Sequence, residues 1–245
     1  MASVLADDVV VGFTTRLGGV SQDRYAEANL STRVGDDTAA VRENRRRTLS
    51  SRGLAGLPLV TTRQEHTATV VRVSSDELGN VDESVPLRVA ADGMVTTERG
   101  VALLVGTADC LPVILVDPGR AVAVLHAGWR GLLGGIVETA VDRMREVGAS
   151  PGSIIALLGP AIGPCCYAVD ADLRDRIGAR YESAAAVTRR GGPAVDLAAA
   201  ARAALTRRGV VEPLEDRRCT YDDGDFFSRR RDGHTGCQGG LVAMR

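Results

Sequence analysis

The sequence predicts an α+β fold, with mixed and antiparallel sheets in a sandwich-like core, helices packed outside, and a single domain over residues 1–245. Two observations carry that prediction. Residues 101–105, 113–116 and 121–125 are short apolar runs, rich in β-branched side chains and closed by Gly, Asp or Pro, which marks buried strands. Between the last two lies Asp117-Pro118-Gly119-Arg120, where Pro presets φ and Gly admits positive φ. The two runs therefore fold back as a hairpin, which a purely parallel sheet does not contain.

Taken in order, residues 9–15 read as a strand entering Arg16-Leu17-Gly18-Gly19. That turn either presents amides and a guanidinium to an anion or is a solvated surface turn. Thr38 is placed as the cap of a helix to about residue 51, with Val41, Arg45 and Leu49 on one side. Strands follow at 58–62 and 68–73, separated by Arg63-Gln64-Glu65-His66. The polar stretch 74–92 reads as a loop near a pocket mouth, and 94–97 as a strand. Past the hairpin, Gly128-Trp129-Arg130-Gly131 makes a strand-to-helix turn whose amides and Arg130 form an anion cradle or simply allow close packing. A helix over 132–147 buries Leu133, Ile136, Val137, Ala140, Val141 and Met144. Strand 154–158 leads into a rigid Gly/Pro loop over 159–167, where Cys165 and Cys166 read as buried thiols or metal ligands. Residues 170–179 and 196–207 are helical, and 183–193 is a low-complexity, flexible connection. Phe226 and Phe227, two of only three Phe, predict a tail that packs back on the body, and the Arg229–Arg231 run beside them either binds phosphate or is simply solvated.

Bulk properties exclude several classes. A net charge of −1 with 25% charged residues argues against nucleic-acid or membrane-surface partners. No apolar run approaches ~18 residues and no basic segment precedes an apolar core, so a cytoplasmic location is expected. All 30 basic residues are Arg, which rules out Schiff-base and P-loop lysines. Five Cys in that setting read as free thiols, at least one of them unpaired.

The hairpin brings Cys110 and His126 to one sheet end. Pairing Val116 with Ala121 sets Leu111 opposite His126, and a loop one residue shorter sets Cys110 there. A one-residue slip reverses the facing, so Pro112 is expected to introduce an irregularity beside Cys110. His66, remote in the chain, reads either as a hydrogen-bonded structural residue or as a ligand.

With Thr14-Thr15-Arg16-x-Gly18-Gly19, Gln64-x-His66, Thr107-Ala108-Asp109-Cys110-Leu111-Pro112 and His126-Ala127-Gly128-Trp129-Arg130-Gly131 laid out, the chain resembles the laccase-domain, polyphenol oxidoreductase-annotated family. Gly159-Pro160, Cys219-Thr220, Phe227-Ser228 and Arg230-Arg231-Asp232-Gly233 continue the match. That family includes zinc-dependent purine nucleoside phosphorylases that also deaminate adenosine. The resemblance implies His66, Cys110 and His126 as zinc ligands, leaving one position open. It implies nucleoside and phosphate as substrates, with Arg16, Arg63, Gly128 and Arg130 as phosphate-site candidates and Arg130 also a catalytic one. Asp109 and Glu65, beside ligands, are the candidate proton shuttles. The chain departs from the family pattern at Ala168 and Cys237, where the relatives carry Glu and Arg.

A second class remains: a metal-free Cys–His hydrolase with Cys110 as nucleophile, including editing of a peptidoglycan precursor. His66 separates the two, since a dyad does not need it. Copper suits imidazole ligands, but a four-copper laccase draws on the order of ten His, and this chain has 3.

Overall fold

The computed structural model describes residues 2–6, 8–74 and 87–245. In chain order its strands are β1 (Ala2–Ala6), β2 (Val9–Phe13), β3 (Leu59–Val60), β4 (Thr62–Arg63), β5 (Val70–Val73), β6 (Leu87–Ala90), β7 (Gly93–Thr96) and β8 (Val101–Thr107). These are followed by β9 (Leu111–Asp117), β10 (Ala121–Ala127), β11 (Ile155–Leu158), β12 (Ala185–Val187), β13 (Pro193–Val195), β14 (Leu214–Glu215) and β15 (Gln238–Met244). The helices are α1 (Thr38–Ser50), α2 (Trp129–Gly134), α3 (Ile136–Glu146), α4 (Ala171–Arg180), α5 (Leu197–Arg207) and α6 (Arg229–Asp232).

Alternation along the central strands sets the layers. Leu111, Val113, Leu115, Ala123 and Leu125 point to one face of their sheet and pack on Ile136, Val137, Ala140, Ala200 and Ala204 of the helices. Ile114, Val116, Val122 and Val124 point to the other, where they meet Val11, Leu103, Val105 and Val242 of a second sheet. Both faces are buried, which is why the runs are continuously apolar rather than alternating. The first sheet has the order β1-β2-β15-β8-β3 and the second β14-β11-β9-β10-β7-β5. On the far side of the first sheet, Leu49 of α1 packs on Val10, Leu104 and Leu241. The α+β sandwich with outer helices is therefore the architecture found. Among the described residues no helix is long and apolar enough to cross a membrane.

Several boundaries differ from the sequence reading. Asp37, not Thr38, caps α1, accepting from the Ala39 amide at 2.9 Å. The helix expected over 132–147 starts at Trp129 and breaks at Gly135, whose φ of +85° ends one helix and starts the next. The segment expected to be a flexible connection contains the β12–β13 hairpin, closed by Thr188 and Gly192 with Gly191 at φ +80°. Of the polar stretch read as a loop, residues 75–86 lie outside the described residues, and Leu87–Ala90 forms a strand beside β4. Phe226 and Phe227 are fully buried, so the tail does pack on the body.

β15 lies at the centre of the first sheet, between β2 and β8. A Cβ built at Gly239 would stand 2.4 Å from the Val105 carbonyl oxygen and 2.8 Å from Leu104 Cδ1. Gly239→Ala therefore forces two paired strands apart and is expected to destabilise the fold by about 1–3 kcal/mol. Thermal or urea unfolding checks it; an unchanged midpoint refutes the close approach.

Candidate metal centre

The β9–β10 turn determines what meets at the sheet end. Asp117 pairs with Ala121, so three residues form the loop, with the Arg120 amide donating to the Asp117 carbonyl at 3.0 Å and Gly119 at φ +72°. This register lies one and two residues away from the two considered from sequence. It sets Pro112 opposite His126 and corrects both expected registers. His126 thus shares a face with Pro112, and the expected irregularity beside Cys110 is present, since residues 108–110 leave the strand and Asp109 has φ +91°. Cys110 lies just beyond the ladder and close to Gly128, where an added Cβ would stand 3.0 Å from its Sγ and 3.2 Å from His66 Cδ2.

His66 joins from the turn after β4. Its Nε2 lies 3.9 Å from Cys110 Sγ, and its ring centroid is 4.7 Å from that of His126. One donor atom from each of the three residues lies within 4.8 Å of the others. Exposure is graded, with His126 4% exposed, Cys110 half-buried and His66 at the surface. The third histidine, His234, is elsewhere, bonded to the Val34 carbonyl at 2.6 Å and to Tyr25.

The residue that assembles this set is Asp92, which the sequence reading passed over. It is fully buried just before β7, and the pairing of Leu125 with Gly93 sets it beside His126. Its Oδ1 accepts from His126 Nδ1 at 2.7 Å and the His66 amide at 3.0 Å. Its Oδ2 accepts from the amides of Glu65 and Thr67 at 3.1 and 2.6 Å and from the Thr67 hydroxyl at 2.9 Å. One carboxylate thus fixes the His126 tautomer, leaves Nε2 for a ligand, and holds the turn in which His66 sits at φ +60°. Burial opposes the charge on Asp92, but His126 and these amides hold its carboxyl down at about 2.

Burial also raises the Cys110 thiol, yet the facing His126 and His66 imidazoles bring it down to about 6. His126, pulled down by burial, is raised to about 10 by Cys110 and Asp92. Without a metal both shifts favour the thiolate of Cys110 and the imidazolium of His126. Cys237, in the same cleft, is pushed by burial up to about 12. In metal-free protein, iodoacetamide is thus expected to label Cys110 before Cys237, its rate rising with pH through about 6 instead of the ordinary ~8.5. Peptide mass analysis after a short pulse checks this, and earlier labelling of Cys237 contradicts it.

The three donors border a cleft of about 430 Å³ that also reaches Arg33, Arg45 and Arg229. Arg33 donates to the Gln64 carbonyl at 2.6 Å, and buried Arg45 to the Leu30 carbonyl at 2.9 Å. Arg229 opens the Arg229–Arg231 run, read from sequence as phosphate-binding or solvated, whereas Arg16, Arg63 and Arg130 do not line the cleft. Arg16 stacks on Phe227 and donates to the Ala26 carbonyl, Arg63 pairs with Glu65 at 2.8 Å, and Arg130 lies over Trp129. Asp109, with φ +91°, is tied on both oxygens, to the Thr220 hydroxyl and the Arg230 amide, each at 2.7 Å.

The layers and the donor set together define a class: a two-sheet sandwich with a candidate three-donor metal centre at the rim of one sheet. Residues 10–245 match the family described as multi-copper polyphenol oxidoreductase laccase, and the chain belongs to that family. It is 43% identical to a purine nucleoside phosphorylase of Streptomyces coelicolor, over 94% of this chain and 93% of that one. It is 41% identical to a purine nucleoside phosphorylase of Streptomyces griseus, over 94% and 92%. The crystal structure of YlmD from Geobacillus stearothermophilus superposes with a TM-score of 0.87 at 36% identity, covering 98% of this chain and 93% of that one.

Proposed function

We propose that the chain is a cytoplasmic, zinc-dependent purine nucleoside phosphorylase, acting on adenosine, inosine, guanosine or methylthioadenosine and also deaminating adenosine. The observation that carries this reading is the convergence of His66, Cys110 and His126 at a cleft whose wall holds arginines. Similarity to purine nucleoside phosphorylases over nearly the whole chain supports it. Two imidazoles and one thiolate suit zinc as a three-ligand catalytic set. A bound zinc would supply Lewis acidity and one open coordination position there.

The chain's own groups do the rest. Arg229 carries no side-chain ion pair among the described residues, and Arg33 lines the same cleft. These two guanidiniums are better placed to hold phosphate than Arg16, Arg63 or the Gly128–Arg130 turn, and fork-shaped donors match its oxygens. In phosphorolysis a phosphate oxygen bonds to C1′ of the ribose as the bond from C1′ to purine N9 breaks. In deamination water adds at C6 of adenine and ammonia leaves. Glu65, half-exposed beside His66, is assigned proton transfer, whereas Asp109 braces Cys110 against the tail. Ribose 1-phosphate release from inosine and phosphate by zinc-loaded protein is the expected result. No release from fully loaded protein overturns the proposal.

One observation favours a second reading, a cysteine hydrolase: the low-lying Cys110 thiol beside His126. The two readings differ in their need for His66.

A further inference from the structure

We propose that Cys165, Cys166, Cys219 and Asp222 form a second zinc site, structural in kind and separate from the cleft. Four donors from two chain segments meet there, with one ligand atom from each lying within 4.8 Å of the others. Cys165 and Cys166 Sγ are 3.3 Å apart, and Asp222 oxygens lie 3.8 Å from the first and 3.4 Å from the second. A tetrahedron with zinc–sulfur bonds of about 2.3 Å has edges of about 3.8 Å, so the spacings are those of a site that needs only small adjustment. None of the three thiols is in a disulfide.

The backbone is shaped for this purpose. In the loop after β11, the amides of Cys166 and Tyr167 both donate to the Gly163 carbonyl, a turn that lifts adjacent cysteines to one side. In the tail, the amides of Asp222 and Asp223 both donate to the Cys219 carbonyl, which brings the donors of a C-x-x-D pair together. The Gly163 amide donates to Cys219 Sγ at 3.2 Å, an interaction that favours a thiolate. A Cβ at Gly163 would press 3.2 Å from Cys165 Sγ and 3.5 Å from Cys219 Sγ. Arg189 clasps Asp222 from outside, as outer partners of metal-binding carboxylates do.

Three thiolates and a carboxylate with no open position describe a closed structural zinc site. Binding releases the three thiol protons and involves no change of oxidation state. The clip would join the loop after β11 to the tail. Thr220, next to Cys219, bonds Asp109, the neighbour of Cys110, so the clip would also steady that ligand of the first centre.

The test is zinc content of the full chain, purified from zinc-supplied culture. We expect 2 zinc per chain in the wild type. Cys166→Ser/Cys219→Ser and His66→Gly should each lose one, and their combination both. His66→Gly protein, in which the cluster is untouched, should on cobalt(II) loading show an intense thiolate-to-cobalt absorption that Cys219→Ser weakens. A zinc content unaffected by the Cys replacements overturns the proposal, as does a cobalt spectrum indifferent to Cys219. So does a thiol titration of denatured, unreduced, metal-stripped protein that finds fewer than the 5 thiols of the sequence, since the cysteines would then be disulfide-bonded. If only the reading of the first centre fails, His66→Gly leaves the zinc count unchanged while the Cys replacements still lower it.

Discussion

Replacing Asp92 by Ala is expected to dismantle the first centre and destabilise the whole fold. The carboxylate is fully buried and accepts five hydrogen bonds, from three amides, one hydroxyl and His126. Removing it strands those donors where water does not reach, and breaking a buried pair of this kind costs about 3–5 kcal/mol. Against a typical stability of about 5–15 kcal/mol, that leaves a substantial unfolded fraction. Asp92→Asn is the milder probe. One oxygen remains for His126 and His66, but the amide nitrogen confronts the donors of Glu65 and Thr67. Zinc affinity should fall about 10–100-fold, the usual effect of losing a partner that orients a ligand. The sign of the acid response follows from the same contacts. A carboxyl held at about 2 stabilises the native state fully above its unfolded value of ~3.9 and loses that contribution as pH falls through about 2. Asp92→Asn protein should therefore lack this part of the wild-type acid transition. Unchanged zinc affinity and an unchanged acid transition in Asp92→Asn would show that the carboxylate organises nothing.

The parts legible in the sequence were those set by local chemistry. Short β-branched runs and a Pro-Gly turn revealed β8, β9 and β10, and the hairpin alone brought Cys110 and His126 to one sheet end. What stayed hidden depended on contacts between distant segments. The loop is three residues long because Asp117 joins the ladder and pairs with Ala121, and no propensity separates that register from the one in which Val116 does. Asp92 looked like an ordinary turn acid, since only its pairing position beside His126 makes it a hub. β15 begins Gln238-Gly239-Gly240, a poor strand by composition, and its glycines are explained by the approach of Val105, Phe13 and Pro112. Of the cleft arginines, Arg229 stands in a run legible as a phosphate binder, but Arg33 and Arg45 were masked by number, since with 30 arginines sequence position alone does not tell which few converge. Arg130 and Arg16 were favoured for their neighbouring glycines, and the fold uses them against aromatic rings.

His66 decides between the two chemistries, and its backbone supplies an unusually clean variant. At φ +60° a non-glycine side chain is strained by about 1–3 kcal/mol, whereas Gly adopts this conformation readily. His66→Gly therefore deletes the imidazole and relaxes the turn at once. In the presence of a chelator it should melt no lower than wild type, so any loss of function does not come from misfolding. For a zinc phosphorylase, removal of one of three ligands leaves a thiolate and one imidazole, too few to hold the ion. Ribose 1-phosphate formation should then fall more than ~100-fold and zinc content by one ion per chain. For a cysteine hydrolase, Cys110 and His126 keep their contact and Asp92 still orients the ring, so turnover should change only a few-fold. Cys110→Ser, by contrast, disables both. Full zinc content together with full phosphorolysis in His66→Gly would remove this residue from the centre and end the three-donor reading.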